Sequence, residues 1–315
     1  MQRRSAFKVS APGSTMLMGE HAVLYGQPAL VCALDSRIEI TFTLRNDRLV
    51  KVNSALAEYQ SSLDRLDQDP RLEFVIAAIE AYQGQLQTGF ECSIHTTFSS
   101  TIGLGSSAAV TAAMVKGLQH LVGVESDLKD DFRQGLGIIH KVQQGRGSGA
   151  DLAATLKGGV ICFQPEPLEI SSVSCPENIV FSLFYSGYKM KTPEVLAWVE
   201  EQWRHQRELR SALYQLMGST CRASMEALQQ TDLKEFGRLM NCYQGLMDSL
   251  GVCDATLASM IYSLRDDERV YGAKISGSGL GDCVLTLGTE TPNHLTKYAG
   301  LTVHPAKSGV LIETL

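Results

Sequence analysis

Two serines flanked by glycines stand just before a stretch of helical periodicity. The run is Gly103-Leu104-Gly105-Ser106-Ser107-Ala108-Ala109, followed by an apolar pattern over 110–122. Glycines let a backbone approach a ligand and take positive φ. At a helix start the unpaired N–H groups and the positive end of the dipole converge, a ready site for an anion such as phosphate. Serine hydroxyls add donors to phosphate oxygens, or one oxygen ligand for Mg²⁺. No lysine follows the glycines, so this is not a Walker A loop. The same residues also suit a plain helix cap after a turn, and taken alone they do not separate the two readings.

Three other groups could carry chemistry. Gly145-Arg146-Gly147-Ser148-Gly149-Ala150-Asp151 sets one carboxylate behind a glycine turn. That carboxylate is either a helix cap or a base held by a shaped loop and able to accept a hydroxyl proton. Ser276-Gly277-Ser278-Gly279-Leu280-Gly281-Asp282-Cys283 lies between two strand patterns and holds more glycine than a hairpin needs. Its backbone is expected to press against a ligand or another loop. Near the N-terminus, Glu20 and His21 interrupt an otherwise apolar stretch. Burying such a pair costs desolvation unless partners satisfy it, which makes it a candidate site, the alternative being an exposed turn.

These groups must be positioned by a sizeable fold. The 315 residues suggest about two domains. A 44% hydrophobic and 20% charged composition argues against disorder and coiled coil. The net charge of −6 disfavours a nucleic-acid or anionic-membrane partner. No stretch reaches a membrane span, and the first residues lack the apolar core of a signal peptide, so a cytoplasmic protein is expected. The eight cysteines show no CxxC or zinc spacing and read as buried free thiols.

Strand patterns fall at 7–11, stopped by Pro12-Gly13, in a pair over 28–44, and at 90–94, 160–163, 179–185, 272–276, 283–287 and 309–312. Helical patterns fall at 70–84, 110–122, 126–143 with Ser126 or Asp127 as cap, 193–217, 219–229, 232–249 and 254–265. The stretch 164–178 reads as a linker. Without strict βαβ alternation, the layers point to an α+β fold.

In this order the motifs resemble the GHMP small-molecule kinases over nearly the whole chain. Ala11-Pro12-Gly13 with Gly19-Glu20-His21-Ala22-Val23-Leu24-Tyr25-Gly26 is most similar to the mevalonate kinases of that family. The 103–109 loop is similar to the ATP-phosphate motif, and 276–283 to the third motif, usually richer in glycine. The run from Tyr243 to Val252 is similar to the family's late helix and turn. The resemblance implies an N-terminal domain like domain 2 of ribosomal protein S5 (1–175), a ferredoxin-like C-terminal domain (176–315), and an active site between them.

It also implies phosphorylation of an alcohol by ATP with Mg²⁺: mevalonate first, phosphomevalonate as the alternative acceptor. A non-catalytic ATP- or metabolite-binding regulator of the same fold is the alternative of another class. Homodimers are common among the relatives. By the resemblance, Asp151 is the base. Gly103, Leu104, Gly105, Ser106, Ser107 and Ala108 hold the nucleotide, and Glu20, His21, Thr192, Gly277 and Ser278 lie on the acceptor side.

Two positions depart from the pattern. Ser14 stands where the family has a lysine thought to pair with the base, and His140 stands where mevalonate kinases place a glutamate that binds Mg²⁺. The metal set would then be Ser107 and His140, although imidazole is a poor Mg²⁺ ligand. Lys189 or Lys191, in Gly187-Tyr188-Lys189-Met190-Lys191-Thr192-Pro193, would supply the missing charge, with Lys191 counted beside Ser14 and Asp151 as catalytic. Other features fit phosphomevalonate kinases: His140, the run 147–151 and Gly281-Asp282-Cys283. In that case Arg146 and Lys189 would bind a substrate phosphate.

Overall fold

A computed structural model describes residues 6–96, 104–176, 179–292, 297–298 and 300–315. The N-terminal lobe is built on a sheet of eight strands: β1 (Ala6–Met18), β2 (Ala29–Leu44), β3 (Leu49–Ser54), β4 (Glu58–Ser62), β5 (Phe90–Thr96), β6 (Val160–Gln164), β7 (Glu169–Val173) and the last strand, β12 (Leu311–Thr314). β2 is one strand rather than the expected pair. It is long enough to hold β1 along one edge and both β6 and β5 along the other.

Pro12-Gly13 does not stop β1. The register slips there, Pro12 pairing with Arg37 and Gly13 with Leu34, so the strand passes its donor-less proline through an irregularity. The Pro12 carbonyl accepts a hydrogen bond from Thr155 Oγ1 at 3.1 Å. The expected linker over 164–178 instead contains β7, paired antiparallel with β6.

Four helices belong to this lobe: α1 (Glu73–Tyr82), α2 (Ser106–Val122), α3 (Leu128–Val142) and α4 (Ala150–Lys157). Asp127 caps α3 by accepting from the Asp130 amide. The sheet and helices bury Phe7, Phe42 and Phe90 together, with the Phe7 and Phe42 rings stacked at 5.0 Å. That apolar burial is what fixes β1, and with it Ser14, against the helices.

The C-terminal sheet has β8 (Val180–Lys189), β9 (Val270–Ser276), β10 (Gly281–Gly288) and β11 (Gly300–Val303), in the spatial order β11-β8-β10-β9. Numbered within the lobe this is 4-1-3-2 and antiparallel, the ferredoxin-like arrangement. Between β8 and β9 come α5 (Thr192–Gln202), α6 (Arg207–Gln229), α7 (Leu233–Leu250) and α8 (Ala255–Arg265).

The expected helix end near 218 is not an end. α6 keeps Tyr214, Met217, Cys221, Ser224 and Leu228 buried straight through Gly218, and the break falls after α5. β12 returns to β1, so the last strand of the chain belongs to the first lobe rather than the second. None of the eight cysteines is in a disulfide, with Cys32, Cys92, Cys221 and Cys283 fully buried and Cys242 exposed. Among the described residues no helix is long and apolar enough to cross a membrane.

Candidate active site

A cavity of about 260 Å³ opens between the lobes, and residues from β1, α2, α4, β8 and the β9–β10 loop line it. Asp151 is the centre of its chemistry. Gly149, not Asp151, caps α4, so the carboxylate stands in the first turn of the helix and points outward from it. Ser14 Oγ donates to Asp151 Oδ1 at 2.8 Å. Burial pushes the Asp151 pKa up, and the Ser14 hydrogen bond and the Lys189 charge oppose that rise. The net shift is upward, which makes the carboxylate more basic than a free one.

The start of α2 faces Asp151 across the cavity. Its cap is Gly105, at φ 65°, with no side chain to accept from the first amides. Neither serine is therefore the cap, and among the described residues no side chain caps the first-turn N–H groups, which can meet a ligand together with the Ser106 and Ser107 hydroxyls. A Cβ on Gly105 would lie 2.1 Å from Ser14 Oγ. Glycine is thus required both by the backbone angle and by the approach of the serine that holds Asp151. Leu104 is buried, and its carbonyl accepts from the Ser14 amide at 3.0 Å. Gly103 lies outside the described residues. Leu104, Gly105, Ser106, Ser107 and Ala108 all line the cavity. A second, mostly apolar cavity of about 440 Å³ shares Ser106 and Ser107 and runs between Ile38, Leu56, Phe74 and Ile94.

Glu20 and His21 are both buried but do not pair with each other. Glu20 forms an ion pair with the fully buried Lys274 of β9. Burial pushes Glu20 up and Lys274 down, and their mutual attraction opposes both shifts. His21 Nε2 donates to the Ser278 carbonyl at 2.8 Å. Burial lowers the His21 pKa, which favours the neutral ring, and with Nε2 donating, Nδ1 of that form is an acceptor. Among the described residues, His21 Nδ1, Glu20 Oε2, Ser278 Oγ and Asp282 Oδ1 are buried without a hydrogen-bond partner, and all four residues line the cavity. Buried polar groups left open in one place mark where a polar ligand binds. Thr192 and Gly277 line the same cavity.

Two expected residues are placed elsewhere. His140 Nε2 donates to the Gly147 carbonyl at 2.9 Å, closing the glycine turn, and the ring does not line the cavity. Lys191 is exposed at the cap of α5 and is also absent from the lining; Lys189, the last residue of β8, takes the place inside. The donor set therefore fits Mg²⁺ through the Ser107 hydroxyl and not through His140. Among the described residues no three His, Cys, Asp or Glu side chains gather as metal ligands, so such an ion would complete its shell with phosphate oxygens and water.

Sequence reasoning missed Lys274 and the role of Tyr243. Tyr243 OH donates to the Glu20 carbonyl at 2.9 Å and accepts from the Gly19 amide at 3.1 Å. Lys274 alternates with apolar neighbours as a solvent-facing strand residue would, and only its distant partner reveals it.

Known proteins place this geometry. The chain is 27% identical to a mevalonate kinase of Thermococcus sibiricus, over 97% of this chain and 98% of that one. The solved mevalonate kinase of Methanococcus jannaschii superposes with a TM-score of 0.80 at 21% identity, covering 95% of this chain and 98% of that one. A Lactococcus lactis galactokinase complexed with galactose superposes equally well, TM-score 0.81 at 17% identity over 97% and 95% of the two chains. The fold alone therefore does not choose the alcohol. Residues 73–159 match the GHMP kinases N-terminal domain and residues 224–295 the GHMP kinases C-terminal domain. The cleft lies between the two matched regions, and the chain belongs to the GHMP kinase family of small-molecule kinases.

Proposed function

We propose that the chain transfers the γ-phosphoryl group of ATP to the primary hydroxyl of mevalonate, giving 5-phosphomevalonate. One observation carries the phosphotransfer reading: Asp151, held by Ser14, lines the same cavity as the uncapped start of α2. The triphosphate would lie on the first-turn amides with the Ser106 and Ser107 hydroxyls, and the adenine would enter the apolar cavity beside them. Mg²⁺, held in part by Ser107, would neutralise phosphate charge. Ser14 occupies Oδ1 of Asp151, which leaves Oδ2 to take the acceptor's proton. The acceptor oxygen then bonds to the γ-phosphorus as the bond from that phosphorus to the β–γ bridging oxygen breaks, and ADP leaves. Such transfer depends on alignment and charge more than on covalent help from the protein.

The choice of acceptor rests on the curated relatives and on the polar end of the cavity. His21 Nδ1 accepts from a hydroxyl, and the Ser278 and Thr192 hydroxyls donate to a carboxylate. Of the two residues that the phosphomevalonate reading offers to a substrate phosphate, Lys189 lines the cavity, whereas the Arg146 guanidinium donates to the Pro193 carbonyl at 2.8 Å and does not line it. A coupled assay of ADP formation over mevalonate, phosphomevalonate, galactose and homoserine tests the proposal. Mevalonate is expected to give the highest kcat/KM; preference for any other acceptor overturns the assignment, and nucleotide binding without turnover makes the chain a regulator.

A further inference from the structure

Position 14 leaves Asp151 without the lysine that relatives of this family place beside the base. On the other lobe, β10 pairs with β8 through a register shift: Gly281 lies opposite Lys189 and Cys283 opposite Tyr185, so that Asp282 faces three β8 residues, Ser186, Gly187 and Tyr188, and the extra length lies on β8 just before Lys189. The Asp282 backbone has φ 71°, costly for a residue with a side chain. Irregularities of this kind re-aim a side chain next to active sites. Here the Asp282 carboxylate, 4% exposed, turns into the cavity and holds Lys189 Nζ at 2.7 Å through Oδ2. Lys189 and Asp151 line the same cavity from opposite lobes.

We propose that Lys189, set by the irregular end of β8 and held by Asp282, is the cation that balances the charge of Asp151, so that this chain draws from β8 what Ser14 cannot supply. The inference rests on Asp151 being the base. Three groups bear on that carboxylate: Ser14 from β1 and Lys189 from β8 favour its charged form, and Asp282 from β10 opposes it. Asp282 acts only through Lys189 and is a positioning residue. The strained backbone at position 282 buys a lysine fixed at one place instead of swinging on an exposed strand end.

The test is the pH profile of kcat in Lys189→Met, Lys189→Arg, Asp282→Asn and the Lys189→Met/Asp282→Asn double variant. The Lys189 side chain is 40% exposed but that of its partner Asp282 only 5%, so Lys189→Met leaves a buried carboxylate unpaired, and the double variant, which removes that charge, separates the pH effect from any loss of stability. A base works when ionised, and removing Lys189 raises the Asp151 pKa. The acid limb is therefore expected to move up by about one pH unit in Lys189→Met, with kcat down about tenfold at pH values below the limb and the KM for ATP unchanged. Lys189→Arg keeps the limb near its original place. The double variant loses no more than Lys189→Met alone, because Asp282 has nothing left to position. Ser14→Lys on the Lys189→Met background is expected to bring the limb back. An unmoved limb in an active Lys189→Met overturns this inference alone, and additive losses in the double variant overturn the part assigned to Asp282. Absence of turnover in the unsubstituted protein removes both this inference and the assigned reaction.

Discussion

Asp151 keeps one oxygen fixed and one free, and that division decides what a substitution does. Asn keeps an oxygen to accept from Ser14 Oγ, so the 2.8 Å contact and the start of α4 are retained. It cannot take a proton. Asp151→Asn is therefore expected to lower kcat at least ~10²-fold while ATP binds as before, measured by steady-state turnover beside equilibrium nucleotide binding. His140 gives the opposite expectation. Its ring serves the Gly147 carbonyl, so His140→Gln should change the Mg²⁺ concentration for half-maximal activity by no more than about twofold. A tenfold weaker response to Mg²⁺ would return His140 to the metal. The difference between these two residues shows what was legible at this scale. An acid behind a glycine turn announces a role through its type and its neighbours. A side chain at a family position does not announce which way it points: His140 turns to its own loop, and Lys189 rather than Lys191 enters the cavity.

At the scale of elements, the start of α2 carries the phosphate site, and Gly105 makes that start possible. Substitution by alanine meets two obstacles: a φ of 65° and a collision with Ser14 Oγ. Gly123, the C-terminal cap of the same helix, has a φ of 69° with open space around it. Gly123→Ala therefore reports backbone strain alone, about 1 kcal/mol. Gly105→Ala should cost more, about 1–3 kcal/mol of stability, and about 10²-fold in kcat because Ser14 is displaced from Asp151. Urea unfolding and turnover of the two variants side by side separate strain from displacement; equal effects on both measurements would remove the collision as a cause.

The long apolar strands and the capped helices were readable because one face of each is buried, and burial imposes the period. β3 and β4 were not: their residues alternate over only a few positions and β4 is an edge strand with polar, half-exposed sides. The length of β1 was hidden for another reason. Pro12-Gly13 is a stop signal locally, and only the pairing with β2 and the hydrogen bond from α4 carry the strand across it.

Across the whole molecule, the lobes are tied where no local pattern could show it. Glu20 reaches Lys274, 254 residues further along the chain. Lys274 Nζ also lies 5.5 Å from the centre of the Tyr243 ring, and Thr15 Oγ1 meets Ser276 Oγ at 2.8 Å beside it. An ion pair this deep holds the two lobes in one relation, yet its net worth is small because desolvation offsets the attraction. Its loss on one side is another matter. Lys274→Met strands the Glu20 carboxylate in the interior and should cost about 3–5 kcal/mol in urea unfolding. Adding Glu20→Gln removes the stranded charge, so the double variant should recover most of that stability. Acceptor binding should not recover with it, because Glu20 also lines the polar end of the cavity. The KM for the acceptor alcohol is expected to stay raised in the double variant while the unfolding midpoint returns towards that of the unsubstituted protein. Recovery of both together would mean that Glu20 serves the join between the lobes and takes no part in binding the alcohol.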